Sequence, residues 1–217
     1  MDDWTVLAGL APSERKEFVA AARRRTFRRG EIIFHEGDPA DTVHLLTEGR
    51  VAVRVTTPLG DVAILTVLGP GQVFGELALL ADTARTATIV ALQRCETLAL
   101  HRDEFQRLRA ASPTVDQFLT AALVQQVARL SALLLDAHFV PAPARVARRL
   151  LELCDEFGDR RPGTVVPITQ EDLAQMAGTT RSTANQVLHR IEEAGAIRVR
   201  RGKIEILDPA ALRRQAR

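Results

Sequence analysis

The chain has 217 residues, 46% of them apolar and 26% charged, with a formal net charge of +2. That composition excludes a disordered or low-complexity chain and leaves room for two ordinary domains. The charge is uneven: from His138 onward there are 14 basic and 10 acidic residues, an excess of 4, against 15 basic and 17 acidic before it, which fits a polyanionic partner for the C-terminal third.

Residues 12–24 carry Phe18, Val19 and Ala22 among charged residues, which predicts a short amphipathic helix whose Arg23–Arg25 end opposes the helix dipole. From Phe27 the pattern changes to β-rich runs at 32–35, 43–46, 50–55, 62–67, 86–92 and 97–100. Gly30, Gly37, Gly49, the Pro58–Asp61 turn and the Gly69–Gly71 turn separate them. Short strands at such intervals predict a compact antiparallel barrel or roll.

Within that region, residues 74–91 combine a glycine turn, a carboxylate and an Arg-Thr pair. Gly75 lets the backbone approach a ligand, and the run beginning Glu76-Leu77-Ala78 can open a short helix whose free N–H groups favour an anion. Arg85 offers a permanently charged planar fork to phosphate oxygens. Glu76 is repelled by phosphate, so its partners are donors such as sugar hydroxyls. The stretch therefore reads as a phosphate-and-sugar pocket.

A helix over 103–111 is interrupted by Ser112-Pro113 before a longer one over 114–138. Leu119, Leu123, Gln126, Leu130, Leu133 and Ala137 recur along it at alternating four- and three-residue steps, a heptad seam that predicts a parallel homodimer. The two prolines of 139–144 end this helix and make a hinge, and a further helix is expected over 145–157, followed by a polar turn at 158–163. Thr169 and Asp172 then stand at capping-box spacing ahead of a short helix that Gly178 stops, and a second helix runs over 180–193 with Ala184, Val187 and Ile191 inward. This is a helix-turn-helix pattern. It exposes Thr180, Arg181, Ser182, Asn185 and Gln186 at the start of the second helix, where base edges of double-stranded DNA are met. Arg181 suits guanine, and Asn185 or Gln186 suits adenine. A hairpin wing follows over 196–207, with Arg201 and Lys203 placed to meet phosphates.

No apolar run approaches the roughly 18 residues of a membrane span, and the N-terminus lacks a secretory pattern, so a cytoplasmic protein without a membrane partner is expected. Cys95 and Cys154 lie far apart, without metal-ligand spacing, and read as reduced core residues. No metal site, no cofactor and no catalytic constellation is expected, and no enzymatic activity with them. A phosphodiesterase, the rival of another class, needs a metal cluster or general base that the sequence does not offer.

With a roll, the pocket stretch, a long helix, a hinge and a winged helix-turn-helix in that order, the chain resembles the cyclic-AMP receptor protein branch of the bacterial Crp–Fnr transcription regulators. The stretches FGELALLADTARTAT (74–88) and ITQEDLAQMAGTTRSTANQVL (168–188) carry the likeness. It implies an α+β fold: a cyclic-nucleotide-binding antiparallel β-roll (1–111), a dimerisation helix (112–139) and a winged helix-turn-helix domain (140–217). It also implies Glu76 on a ribose 2′-hydroxyl, Arg85 and Thr86 on a cyclic phosphate, and backbone groups of Gly75, Leu77 and Ala78 lining the pocket. In the family, adjacent polar residues of the long helix read the base. Here Ser131 holds one such position, Leu130 replaces the usual threonine, and Gln126 replaces a basic residue one turn earlier. Cyclic AMP is the expected allosteric ligand, with cyclic GMP or a non-nucleotide effector as the alternative. A near-palindromic operator and RNA polymerase are the expected partners. Ser182 and Gln186 stand where glutamate and arginine are common, so an altered half-site is expected.

Overall fold

The structure, a computed structural model, describes residues 12–158 and 161–216. In chain order the elements are α1 (Pro12–Ala21), β1 (Arg23–Phe27), β2 (Ile32–Phe34), β3 (Thr42–Glu48), β4 (Val51–Thr56), β5 (Val62–Leu68), β6 (Val73–Phe74), α2 (Glu76–Ala81), β7 (Thr88–Ala91) and β8 (Cys95–His101). There follow α3 (Arg102–Ala111), α4 (Pro113–Phe139), α5 (Ala142–Gly158), β9 (Thr164–Val166), α6 (Gln170–Ala177), α7 (Arg181–Glu193), β10 (Ile197–Arg200), β11 (Lys203–Ile206) and α8 (Pro209–Gln215). The fold is α+β, with two antiparallel sheets in the roll, a long helix and a C-terminal helix-turn-helix with its wing. By internal contacts the chain divides into two compact units, residues 1–55 with 68–129, and residues 56–67 with 130–217.

In the first unit β1, β8, β3 and β6 form one sheet in that order, and β2, β7 and β4 are consecutive neighbours in the second. The period-two pattern of β3 decides its faces. Leu46 packs with Phe27, Phe74, Cys95, Val51, Ile89 and Ala91, a cluster drawn from both sheets. Val43, pointing the other way, joins Leu100, Ala78, Leu79, Phe105, Leu108 and Leu119, so that α2, α3 and the start of α4 cover the outer face. Each of the buried Val, Leu, Ile and Phe side chains stabilises the fold by about 1.5–3 kcal/mol.

Arg23–Arg25 do not cap a helix. The helix ends at Ala21, and the three arginines lie in β1, paired with Ala99, Leu98 and Thr97 of β8. Pairing with a strand more than 70 residues away overrides the local pattern, and Arg24 adds an ion pair to Glu96. β6 and β9, of two and three residues, are too short to leave a periodic signal. The C-terminal helix α8 also went unread. Its signal was present: Asp208 caps it by accepting from the N–H groups of Ala210 (2.8 Å) and Ala211 (3.0 Å), with Pro209 opening the first turn. The polar turn expected at 158–163 falls partly outside the described residues.

Helix α4 spans 27 residues. Its most apolar 18-residue window has a mean hydropathy of 1.6, so by length and composition it could cross a membrane, contrary to the expectation that no segment comes near this. The difference arises because Thr120, Gln125, Gln126, Arg129 and Ser131 interrupt every unbroken run while leaving the average high. The expected seam is also only partly uncovered: Leu119 is buried in the roll's core, and Leu123, Gln126 and Leu133 are half-buried. Val124, Val127, Leu130, Leu134, Leu135 and Phe139 are the large apolar residues of α4 that remain exposed. Heptad counting finds the period of a seam, not which of two adjacent faces the chain's own fold occupies.

His44, in the middle of β3, is 5% exposed and stacks on Phe74, with centroids 5.1 Å apart and planes at 7°. Burial, then the charges of Arg85 and Arg25, push its pKa down to about 3, against a smaller upward pull from Asp41. The imidazole is therefore neutral in the native state at neutral pH.

Gly49 turns between β3 and β4 at φ 85°, where an added Cβ would lie 2.4 Å from the carbonyl oxygen of Arg94. Gly49→Ala should therefore lower stability by about 1–3 kcal/mol, read as a reduced urea midpoint with an unchanged slope. The His44 contribution is complete above pH 6.5 and is lost as the pH falls towards 3, because the unfolded chain takes up a proton that the native imidazole refuses. Urea titrations at pH 7, 6 and 5 should show this as a loss of at most about 1.4 kcal/mol per pH unit that is shallower in His44→Phe.

Candidate functional site

Phe74 closes β6 inside the core, and the chain leaves it through Gly75 at φ 84° and ψ 0°. That conformation, open to glycine at no steric cost, turns the backbone straight into α2. No side chain caps α2 from the position before it, and within its first turn the carboxylate of Glu76 engages that residue's own backbone N–H. A Cβ on Gly75 would lie 2.6 Å from Nη1 of Arg85, so glycine here makes room for the guanidinium as well. The helix ends at Asp82, which takes the left-handed conformation at φ 51°.

Arg85 follows in the connection to β7, and its backbone is pinned at both ends: Gly37 N–H donates to its carbonyl (2.8 Å) and its own N–H donates to Asp38 O (2.9 Å). The side chain is only 2% exposed. Nη1 donates to Gly75 O (3.0 Å), Nη2 donates to Thr42 Oγ1 (3.0 Å) and lies 3.5 Å from Asp41 Oδ1, and the Phe34 ring covers one face at 4.0 Å. Nε is buried and has no hydrogen-bond partner among the described residues. Burial lowers the pKa of this guanidinium, and Asp41, then Asp38, oppose the shift. A desolvated cation with an unused donor is a strong anion acceptor, because an arriving anion meets little competing water.

Glu76, in the first turn of α2, is half-buried. Burial raises its pKa, and its own backbone N–H and the charge of Arg85 pull the other way. Donor groups of a ligand would favour its ionised form. The unit therefore presents a cation for an anion and a carboxylate for hydroxyls, ten residues or fewer apart in sequence.

The remaining expected ligand residues are distributed unevenly. Leu77 is partly exposed, the side chain of Ala78 is in the core, and Thr86 is exposed. Leu130 and Ser131 are exposed positions of α4 in the other compact unit. Asp38, Asp41, Thr42 and Phe34, which hold Arg85, were absent from the sequence reading. No local signal marks them, since they lie 43 to 51 positions upstream and meet Arg85 only through sheet topology. A cavity of about 890 Å³ borders Asp41 and Thr42, but neither Glu76 nor Arg85 lines it. Its Arg23, Arg25 and Arg107 are offset by Glu17, Asp41 and Glu104, which gives it no selectivity for an anion.

In the second unit Thr169 caps α6 with a full capping box to Asp172, and Gly178 ends that helix at φ 58°. Thr180 then caps α7, accepting from Thr183 N–H at 3.1 Å. Leu173, Ala174, Met176 and Ala177 of α6 and Ala184, Val187, Leu188 and Ile191 of α7 are buried. This leaves Thr180, Arg181, Ser182, Asn185 and Gln186 exposed together, and His189 and Arg190 continue the exposed face. His189 was not anticipated, although it stands at helical spacing from Ser182 and Asn185. In the wing, β10 and β11 pair around Arg201-Gly202 and β9 adds a third strand. Arg198 and Arg200 face Glu205 at 3.4 and 3.9 Å, whereas Arg201 and Lys203 are exposed at the tip.

One side chain ties the end of α4 to this motif. Arg145 donates to Val140 O (2.8 Å), to Ala177 O (2.8 Å) and to Gly178 O (2.9 Å), satisfying carbonyls at the C-terminus of α6. Asp136 braces the same corner through Arg148 (2.5 Å) and the buried Arg149 (2.8 Å).

Comparison with known proteins places both halves. The model of the cyclic nucleotide-binding domain matches residues 24–112, and that of the Crp-like helix-turn-helix domain matches residues 144–215. A CRP-like cAMP-activated global transcriptional regulator of Mycobacterium tuberculosis is 30% identical over the whole of both chains. The cyclic AMP receptor protein of Thermus thermophilus is 34% identical over 94% of this chain and 93% of that protein. Among solved structures, a CRP-family transcriptional regulator, also from Thermus thermophilus, covers 88% of this chain and 96% of its own at a TM-score of 0.75 and 29% identity. These relatives are regulators of transcription, not enzymes. With both domains matched in order and full-length relatives at this identity, the chain belongs to the Crp–Fnr family and is a Crp-like, cyclic-nucleotide-binding transcription regulator.

Proposed function

We propose that the protein is a cytoplasmic homodimer that binds cyclic AMP and, in response, a near-palindromic DNA operator, acting on RNA polymerase. The observation that carries this reading is the buried Arg85 guanidinium with a spare Nε–H, set beside the half-buried carboxylate of Glu76. A cyclic phosphate answers the first and a ribose 2′-hydroxyl the second. Gly75, Leu77, Ala78 and Thr86 complete the phosphate and ribose half, with Leu130 and Ser131 facing the base. The relatives named for cyclic AMP support that nucleotide over cyclic GMP, its nearest rival.

The homodimer rests on α4, whose exposed Val124, Val127, Leu134 and Phe139 ask for an apolar partner. A second copy answers that need better than a lipid bilayer, because Gln125, Gln126 and Arg129 punctuate the same helix. On this reading the roll is 1–111, the dimer helix 112–139 and the DNA-binding domain 140–217. Arg181, Ser182, Asn185 and Gln186 of each α7 enter successive major grooves roughly 34 Å apart, Thr180 borders them, and Arg201 and Lys203 hold phosphates. Arg145 gives the hinge a physical link to the α6–α7 turn. Ligand shifts the dimer only by its differential affinity for two states, about 1–3 kcal/mol in typical cases.

Titration calorimetry with cyclic AMP and cyclic GMP side by side should give heat with cyclic AMP at the lower Kd. Arg85→Leu should weaken that binding by about 100-fold or more while circular dichroism stays unchanged. An unaltered affinity would show that Arg85 does not hold the phosphate. On a site selected from random-sequence DNA, Arg181→Ala should cost about 1–3 kcal/mol and relax preference at one base pair, with little loss on non-specific DNA. Equal weakening of both would make Arg181 a phosphate contact only.

A further inference from the structure

Arg85 is held by two acceptors on different strands, Gly75 O after β6 and Thr42 Oγ1 at the start of β3. One side chain stands behind both. His44 Nε2 lies 3.2 Å from Thr42 Oγ1, the same hydroxyl that accepts from Arg85 Nη2. Its ring stacks on Phe74, the residue before Gly75, and the two are register partners across β3 and β6. On the far side His44 Nδ1 is fixed at 3.1 Å by Thr97 Oγ1, and Thr97 is fully buried in β8. A chain of hydrogen bonds thus runs from Thr97 through His44 and Thr42 to the guanidinium. Asp41, by contrast, is 70% exposed and at 3.5 Å holds Nη2 more loosely.

We infer that His44 is a positioning residue for Arg85: through the Thr42 hydroxyl and the Phe74 ring it fixes both acceptors of the guanidinium, and so the pose in which the spare Nε–H takes a ligand's phosphate. The arrangement needs a neutral imidazole, because a protonated ring would face the Arg85 cation across one hydroxyl. Burial keeps it neutral. Thr42 Oγ1 donates its one proton to Asp41 Oδ1 (3.1 Å), so its two lone pairs accept from Arg85 Nη2 and from the Nε2–H of His44, and His44 Nδ1 in turn accepts from the Thr97 hydroxyl. The phosphate in this inference rests on the cyclic-nucleotide reading, but the pose of Arg85 does not.

The test uses the full-length chain with three variants, Thr42→Val, His44→Phe and His44→Gln. In the ligand-free ¹⁵N-labelled protein the Arg85 Nε–H resonance, identified by its loss in Arg85→Lys, should be resolved and slowly exchanging. It should broaden or move towards free arginine in Thr42→Val and His44→Phe, and return in His44→Gln, whose amide can bridge the two threonines. Calorimetry with cyclic AMP should show about 10-fold weaker binding in the first two variants and recovery to within about 3-fold in His44→Gln. If His44→Phe does not fold, Thr42→Val and His44→Gln carry the comparison. An Arg85 resonance unchanged in Thr42→Val, or His44→Gln behaving like His44→Phe in both measurements, overturns the inference and leaves His44 a packing residue. No heat with cyclic AMP in the parent protein, together with a displaced Arg85 resonance in Thr42→Val, overturns the nucleotide reading and supports the role of His44.

Discussion

A guanidinium cannot shed its proton, so burying one obliges the fold around it to supply acceptors. Arg85 imposes that obligation on the first unit of this protein. The carbonyl of Gly75 can reach it only because Gly75 adopts a positive φ and has no Cβ to strike Nη1. The Thr42 hydroxyl reaches it only because β3 and β6 pair with His44 opposite Phe74. The backbone of Arg85 is tied to the Gly37–Asp38 turn, and Phe34 closes one face. Each contact is ordinary, but together they tie both terminal nitrogens of the guanidinium to the fold and leave Nε–H without a partner among the described residues.

Rigidity of this kind matters because an anion site works by being organised before the anion arrives, with donors that need no rearrangement. The aromatic and histidine cluster of Phe27, Phe34, His44 and Phe74 supplies the stiffness from below. Glu76 sits on the same turn and so shares the same frame, which gives a ligand with an anion at one edge and hydroxyls at the other a consistent set of partners. The second unit follows a similar logic with different chemistry. There the capping box at Thr169, the left-handed Gly178 and the cap at Thr180 fix the angle between α6 and α7, and Arg145 seals the α6 end with two hydrogen bonds.

Wherever function depends on neighbours in sequence, the chain was legible. Gly75, Glu76 and Arg85 stand within eleven residues, and their chemistry could be read as a pocket for phosphate and sugar before any fold was known. The helix-turn-helix was equally plain, because its caps, its glycine and its buried Ala184, Val187 and Ile191 are all local choices made at helical spacing. The limit shows at α4: its period was visible, yet Leu119 proved to belong to the roll, and the exposed apolar residues join Leu130 of the seam to Val124, Val127 and Leu134 beside it. The arginines of β1 were misplaced for a related reason, as only their partner strand β8 makes them a strand.

The amino-acid sequence by itself determined the family and the order of its parts, and it nominated the charged side chains proposed to meet phosphate and DNA, because these rest on residue type and short spacing. Tertiary structure alone decided what holds Arg85, since Thr42, Asp41 and Phe34 come to it across sheets whose register no local pattern encodes. It likewise decided that His44 is a buried neutral link between two threonines rather than a surface base, because burial is a property of the packed whole.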